Sequence, residues 1–230
     1  MSPCRTSLLL LIGLCVLTGR AGAQTSAGLL LPATGRQLAD FVPPGYELLP
    51  RGQAFGDLNR DGRPDAALVL RSLAENDTVA AAAEETDVES RPRHLIIVLG
   101  TPGGYTLAAQ TDKAALCNDC GGMYGDPFEG IEIKKGVLSL SHYGGSSWRW
   151  GITTKYRYQT GRFYLIGERR VSYRNNGPCG ESEWELHETN FVTGDYREEK
   201  DSPNCRPLLR KRGHHQPSSL RRLVNYAVEP

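Results

Sequence analysis

The sequence has no long apolar run beyond its first residues, and this absence excludes a membrane-spanning core. Its one extended run, Leu8–Leu17, is shorter than the roughly 20 apolar residues that a spanning helix needs. The run follows Arg5 and precedes the small residues Ala21 and Ala23, as in a secretory leader. Residues 1–23 are therefore predicted to be a signal peptide, and the mature chain is expected to be secreted or periplasmic, with no transmembrane segment.

An excess of charge of one sign is also missing. The chain has 27 Lys and Arg residues and 26 Asp and Glu residues. Removing the leader takes away Arg5 and Arg20, which leaves 25 basic residues against the same 26 acidic ones. The expected mature chain therefore has a net charge near −1, which provides no general attraction to nucleic acid.

Helical periodicity is almost absent, and short alternating or continuous apolar stretches separated by Gly, Asn and Asp take its place. Hairpin turns are expected at Lys135–Gly136, Thr160–Gly161 and Thr193–Gly194. The predicted fold class is mainly β, an antiparallel meander of propeller-blade-like sheets. One or two partial blades and two packed sheets are both compatible with this pattern. A closed propeller is excluded because it needs typically four to eight blades of four strands.

The organisation along the chain follows composition. A lead-in precedes a β domain, an acidic alanine-rich insertion is expected to be a mobile loop, and a basic tail follows. Ser218 or Ser219 is expected to cap a short helix within that tail. The predicted ranges are 24–41 for the lead-in, 42–205 for the β domain, 74–92 for the acidic loop and 206–230 for the tail.

Cysteine is scarce: six residues occur in the chain, and four of them follow the leader. An even number in an oxidising compartment indicates two disulfides. The preferred pairing is Cys117–Cys120 with Cys179–Cys205, and the other two pairings stay open. Zinc binding by the CxxC is disfavoured because no second CxxC or HxxxH lies at a ligand spacing. A redox role is disfavoured because "CNDCGG" does not open a helix after a strand.

The stretch "GDLNRDGRPDAALVL" carries acceptor side chains at alternating positions before an apolar strand. Such oxygens converge in a curled loop, and closely spaced carboxylates with a glycine at the bend are typical of Ca²⁺ sites. A helical EF-hand is excluded because Leu68 stands where that loop has its bidentate Glu. An Asx-rich turn without a metal is the alternative. The predicted ligands are Asp57, Asn59, Asp61 and Asp65, with Gly62 at the bend.

The longer stretch "AFGDLNRDGRPDAALVL" resembles the strand-flanked calcium loop of FG-GAP and VCBS repeats, whose pattern is DxDxDGxxD. Over residues 42–200, including "CxxCGG…GDPFEGIEI…HYGGSSWRW", the chain is similar to exported bacterial FG-GAP or VCBS repeat-containing proteins. This resemblance implies a β fold with a calcium loop. It does not imply a particular activity.

A dense cluster of unusual residues follows the CxxC. Strand alternation places Trp148 and Trp150 on one face and Arg149 on the other. Paired indoles can stack on sugar rings or anchor a partner protein. The alternative is that both tryptophans fill the core together with Trp184. The candidate ligand-binding residues are Asp126, Glu129, His142, Tyr143, Trp148 and Trp150.

A second hypothesis assigns chemistry to part of this cluster. Asp126 and Glu129 with His142 offer the carboxylates and the base of a secreted glycosidase-like hydrolase. No G-x-S-x-G elbow or HExxH helix accompanies them, and a lone histidine after an apolar strand is more typical of a structural residue. The favoured hypothesis is therefore an exported Ca²⁺-binding β protein that is a binding or structural module of the cell envelope. Its expected partner is a glycan or an envelope protein, and nucleic acid is not expected.

Overall fold

The computed structural model describes residues 24–25, 28–74, 92–177, 180–201 and 206–230, and the structural statements below concern these residues. Their regular structure is almost entirely β, as the sequence predicts, with short 3-10 helices at Leu38–Phe41, Gly122–Tyr124 and Leu223–Asn225. In these ranges no helix has the length and apolar character needed to cross a membrane. The predicted signal peptide, most of the acidic loop, Cys179 and Cys205 lie outside the described residues.

The first sheet has strand order β1-β6-β5-β4-β3, and the short strand β2 also pairs with β6. The pairing is antiparallel except for the parallel pair of β1 and β6. Strands β4 and β5 are buried along most of their length, which explains their continuous apolar sequences. The strands are β1 (Gln24–Thr25), β2 (Thr34–Gly35), β3 (Tyr46–Gly56), β4 (Asp65–Ser72), β5 (His94–Thr101) and β6 (Gly104–Thr111).

The second sheet is an antiparallel meander in which each strand pairs with the next along the chain. Neither sheet closes into a barrel or a propeller, which confirms the predicted fold class. The strands are β7 (Phe128–Lys134), β8 (Val137–Gly145), β9 (Trp148–Gln159), β10 (Arg162–Gly177), β11 (Gly180–Asn190), β12 (Asp195–Asp201) and β13 (Pro207–His214).

The predicted turns connect these strands. Lys135 and Gly136 have φ angles of 53° and 75°, and Thr160 and Gly161 have φ angles of 48° and 81°. Positive φ at both central residues defines the type I′ hairpin, whose twist matches that of the flanking strands. Gly194, with a φ of 82°, ends the turn between β11 and β12. The three hairpin predictions are confirmed.

The larger hydrophobic cluster combines residues of both sheets, such as Val69 and Ile97 of the first sheet with Leu140 and Tyr156 of the second. Strand β3 also lies against β7. This approach requires the glycine at position 56, because a side chain there would collide with Ile133. The two sheets therefore meet at β3 and β7 and enclose the main core.

A smaller cluster covers the opposite face of the first sheet. Phe41 is fully buried there against Leu68 and Ile96, and Leu29 and Leu38 pack against the edge of the cluster. Residues 28–41, which the sequence marks only as part of the lead-in 24–41, are thus part of the folded β domain, because their apolar side chains cover a sheet face that is itself apolar.

The carboxyl-terminal segment differs from the predicted basic tail. Residues 207–214 form β13, and Leu223, Tyr226 and Val228 are buried in the main core. The Val228 amide donates a hydrogen bond to the Lys113 carbonyl at 3.0 Å. The expected short helix is a single 3-10 turn. The β domain continues past residue 205 because these apolar side chains close one end of the core.

Candidate functional site

The loop between β3 and β4 gathers three of the predicted calcium ligands. Leu58 is buried in the core, and its polar neighbours lie on the outer side of the loop. Asp57 Oδ1 and Asn59 Oδ1 both accept a hydrogen bond from the Asp61 amide, at 3.1 and 3.0 Å. Asn59 Nδ2 donates to Asp61 Oδ2 at 3.1 Å. The side chains of Asp57, Asn59 and Asp61 therefore meet above one turn of backbone.

Asp65 has a different position from the other three predicted ligands. Its side chain is fully buried, and Oδ2 accepts hydrogen bonds from the amides of Leu58 at 2.7 Å and Asn59 at 3.3 Å. Oδ1 accepts from the Gly100 amide on β5 at 2.8 Å. Burial raises the pKa of Asp65 although these amides oppose the shift. Asp65 anchors the loop to the sheet.

The donor set of the loop is compatible with calcium. Carboxylate and amide oxygens are the ligands this cation takes, and hydrogen bonds from the Arg63 amide and from Asn59 lower the pKa of Asp61, so Asp61 is ionised at neutral pH. Among the described residues, Cys117, Asp119 and Cys120 form a set whose ligand atoms all lie within 4.8 Å of one another. The three aspartates of the β3–β4 loop do not form such a set. The loop's hydrogen bonds equally satisfy an Asx-rich turn.

The loop also reaches the second sheet. The turn between β7 and β8 lies beside it, so that a Cβ at Gly136 would be 3.5 Å from the Asp57 carbonyl oxygen. The β3–β4 loop thus contacts β5 through Asp65 and the β7–β8 turn through the close approach at Gly136. A change in the loop is expected to affect the junction of the two sheets.

A disulfide joins Cys117 and Cys120, which confirms that half of the preferred pairing. Because the two sulfurs are bonded to each other, they are not free thiolates for a metal. The segment that contains this disulfide, between β6 and β7, is held against β8 by two hydrogen bonds. The Leu116 amide donates to His142 Nε2 at 3.3 Å, and the Gly145 amide donates to the Gly121 carbonyl at 2.8 Å.

Asp126 is engaged in a structural ion pair. Arg93 is fully buried, and its two terminal nitrogens donate to the two carboxylate oxygens of Asp126, each at 2.7 Å. The Phe128 amide donates to the same carboxylate at 2.9 Å. Partial burial raises the pKa of Asp126, but the hydrogen bonds from Arg93 and Phe128 outweigh it and the net shift is downward. Sequence reasoning missed Arg93, because no motif distinguishes it from the exposed arginines.

Glu129 and His142 each have surroundings that differ from those of Asp126. Glu129 pairs with the exposed Arg51 at 3.2 Å. His142 is 2% exposed, and its Nδ1 has no hydrogen-bond partner among the described residues. Burial and, to a smaller extent, the charge of Arg93 lower the pKa of His142 to about 4, while Asp126 opposes this shift. The hydrolase hypothesis stays a prediction that this arrangement does not support.

The two tryptophans of "WRW" have different environments. Trp148 is 46% exposed, and the guanidinium carbon of Arg174 lies 5.8 Å from its ring centre. Trp150 packs against the main core, and a side chain at Gly144 would collide with its ring. Trp184 is half-buried and outside the core cluster. Trp148 is therefore a surface residue, and Trp150 is a partly buried residue at the margin of the core.

Tyrosines and arginines surround this end of the sheet. The hydroxyl oxygens of Tyr143 and Tyr173 are 2.6 Å apart, the ring centres of Tyr124 and Tyr143 are 4.8 Å apart, and Arg149 lies 5.2 Å from the Tyr124 ring centre. The register of β9 and β10 brings the additional residues, since Tyr173 and Arg174 are opposite Arg149 and Trp148. We call this set the aromatic end: Tyr124, Tyr143, Trp148, Arg149, Tyr173 and Arg174.

Comparison with known proteins assigns no relatives. No protein-family model matches the chain, and neither the curated proteins nor the solved structures include a significant match.

Proposed function

We propose that the protein is an exported β module that binds a glycan through the aromatic end and that Ca²⁺ stabilises its β3–β4 loop. The observation that carries the binding proposal is the exposure of Trp148, 46%, beside Arg174. Most large aromatic side chains of this chain are at least partly buried, whereas Trp148 and Tyr124 each present a ring with an arginine close to it.

The chemistry of these residues suits a sugar. An indole or phenol ring offers a flat apolar surface for the C–H face of a pyranose, and its polar edge remains hydrated. Arg149 and Arg174 supply several N–H donors in a fixed plane, which match the hydroxyl or carboxylate oxygens of a glycan. The exposed rings of Trp148 and Tyr124, each with an arginine beside it, therefore offer stacking surfaces and donors for a sugar at the surface of the protein.

A glycan array with matched aromatic variants tests this function. We expect the protein to bind a subset of glycans, and Trp148→Ala and Tyr124→Ala to weaken that binding by about tenfold each, a loss of about 1.4 kcal/mol. Phe55→Ala is the control, because Phe55 is 54% exposed but lies on β3, away from the aromatic end. Equal losses in all three variants, or no glycan binding by the parent protein, would contradict the proposal.

The calcium part of the proposal assigns Asp57, Asn59 and Asp61 as side-chain ligands and Asp65 as the anchor of the loop. The FG-GAP-like pattern of the sequence agrees with this assignment. A bound cation would neutralise the charges of Asp57 and Asp61. These residues are linked by hydrogen bonds, since Asp57 accepts from the Asp61 amide and Asn59 donates to the Asp61 carboxylate. The role we infer is structural, because the loop is linked to β5 and to the β7–β8 turn.

Thermal melting with and without a chelator tests calcium binding. We expect calcium to raise the melting temperature of the parent protein at neutral pH and Asp61→Ala to abolish that response. Asp65→Ala is the informative control: it should lower the melting temperature both with and without calcium, because it leaves buried amides without an acceptor. A parent protein whose melting temperature ignores both calcium and chelator has no structural calcium site in this loop.

A further inference from the structure

Strands β12 and β13 form an outer wing of the second sheet, and this wing has no core of its own. No described side chain of either strand is buried, and Leu186 is the one buried apolar side chain that β11 contributes among the described residues. Leu208 and Leu209 on β13 are 62% and 44% exposed. A sheet is normally stabilised by covering at least one face, so the wing is an unusually exposed element of this fold.

One face of the wing has more positive than negative charge. Arg197, Arg210 and Arg212 lie around Glu199, and Arg212 stands directly opposite Arg197 in the β12–β13 register. Only Arg197 forms an ion pair with Glu199, at 2.6 Å, while Arg210 and Arg212 have no carboxylate at ion-pair distance in the described part of the chain. A surface depression of about 550 Å³ lies between these side chains.

The opposite face of β13 carries a further cation. Lys211 lies 3.8 Å from Glu198 and 5.2 Å from the ring centre of Tyr196. The strand is also the last one of its sheet, with a neighbour on one side only in the described structure. An edge strand presents unpaired N–H and C=O groups that a further strand can use. The edge of β13 therefore combines free backbone groups with cations on both faces.

We infer that the edge of β13 binds an extended peptide with successive acidic residues, which adds to the second sheet as a further strand. This inference concerns a different surface from the proposed glycan site and goes beyond that function. Main-chain hydrogen bonds supply the affinity in such strand addition, and alternate side chains supply the specificity. One acidic side chain would enter the depression beside Arg210 and Arg212, and its neighbours in the peptide would face Lys211.

Strand β12 already places acidic residues opposite the cations of β13. In the β12–β13 register, Glu199 stands opposite Arg210, and Glu198 stands opposite Lys211. Two successive acids thus face two successive cations on opposite faces of the sheet. A peptide on the free edge of β13 would repeat that arrangement from the other side.

Alternative occupants suit these observations less well. A membrane or a polysaccharide approaches one face of the sheet, whereas the cations of β13 alternate between two faces. A second copy of β13 would place arginines and lysines opposite one another, and like charges in directly opposed positions are destabilising. An acidic strand in the plane of the sheet contacts both sets of cations without that repulsion.

Fluorescence anisotropy with the full mature chain tests this inference. The probe is a labelled peptide in which three successive glutamates are flanked by valine and threonine. We expect saturable binding that weakens by about tenfold or more when alternate peptide nitrogens are methylated, because methylation removes the edge hydrogen bonds and leaves the peptide charge unchanged. Arg210→Gln combined with Arg212→Gln should also weaken binding about tenfold. Lys113→Gln combined with Arg162→Gln, at exposed positions outside the wing, should leave binding unchanged.

Three results would overturn the inference. The first is equal binding of the methylated and unmethylated peptides, which would show charge attraction alone. The second is an equal loss in the two paired variants. The third is tighter binding to vesicles of anionic phosphatidylglycerol that displaces the peptide, which would assign the wing to a lipid surface. Circular dichroism of each variant, identical to that of the parent, ensures that a loss of binding does not reflect unfolding.

Discussion

At the scale of single residues, Asp126 and Glu129 have different roles although the sequence treats them as a pair. Asp126 holds a fully buried arginine by two hydrogen bonds, whereas Glu129 pairs with an exposed one. This geometry gives Asp126 a structural role.

Alanine substitution should separate these two carboxylates. We expect Asp126→Ala to lower the free energy of unfolding by about 2–3 kcal/mol, because the buried Arg93 guanidinium loses two charge-assisted hydrogen bonds. Its side chain is 42% exposed, so the loss stays below that of a completely buried pair. Glu129→Ala should cost less than about 1 kcal/mol, as exposed pairs do. Urea denaturation measures both values, and equal small effects would favour a functional over a structural role for Asp126.

His142 predicts a pH dependence of stability. Its pKa falls from the ordinary 6.5 to about 4 in the folded protein, so the unfolded chain binds more protons between these pH values. The contribution of neutral His142 is complete above about pH 6.5 and is lost as the pH falls toward 4. The total loss is on the order of 3 kcal/mol. Burial also lowers the pKa of His94, which acts in the same direction.

Denaturation curves of the parent protein and of His142→Gln at several pH values check this prediction. The glutamine retains an acceptor for the Leu116 amide but does not titrate. We expect the variant to lose less stability than the parent between pH 6.5 and pH 4. Parallel pH profiles of the two proteins would show that His142 does not become protonated on unfolding.

At the scale of elements, the hairpin turns are encoded locally. Thr160 has a φ of 48°, which is strained for a β-branched residue, and it precedes a glycine in a type I′ turn. Asparagine is the preferred residue at this position. We expect Thr160→Asn to raise the free energy of unfolding by about 0.5 kcal/mol, measured by thermal melting. Thr153→Asn, in the middle of β9, should instead lower it, because asparagine is unfavourable in strands.

The strand pairings brought together residues that the local sequence does not connect. Tyr173 and Arg174 join Arg149 and Trp148 only because β9 and β10 pair in one particular register. Arg93, just before β5 of the first sheet, reaches Asp126, just before β7 of the second. Short sequence motifs contain Trp148 and Asp126, whereas their partners Arg174 and Arg93 become apparent only in the folded structure.

At the scale of the whole molecule, segments before the first long strand and after the last strand take part in the packing of the sheets. Phe41 covers the outer face of the first sheet, and Leu223, Tyr226 and Val228 complete the main core. The second sheet extends beyond that core as the wing, where cross-strand charges replace apolar burial. The molecule is thus well packed at its centre and exposed at one edge.

A pair of leucine substitutions tests the role of the carboxyl-terminal segment. Leu223 is fully buried and Leu208 is 62% exposed. We expect Leu223→Ala to lower the free energy of unfolding by about 3 kcal/mol, because it removes buried apolar contacts and leaves a cavity. Leu208→Ala should change it by less than about 0.5 kcal/mol. Equal melting temperatures of the two variants would show that the final segment does not close the core.

The sequence by itself determined the class of the fold and the hairpin turns, and it favoured the Cys117–Cys120 disulfide over the other pairings. Each depends on residues close together in the chain: alternating apolar positions, Gly-containing turns and two cysteines three positions apart. These features follow from local backbone preferences and from the two-residue period of a strand. For the same reason the sequence identified the polar side chains that converge in the β3–β4 loop.

Only the tertiary structure decided which of those residues are buried and what they contact. Asp65 anchors the loop, Trp148 lies at the surface, Trp150 packs against the core, and part of the basic segment becomes an edge strand. These outcomes depend on partners far away in the chain, such as Gly100 for Asp65 and Arg174 for Trp148. Burial and electrostatics arise from the packing of two sheets, and a pattern within one strand contains no information about the strand that will cover it.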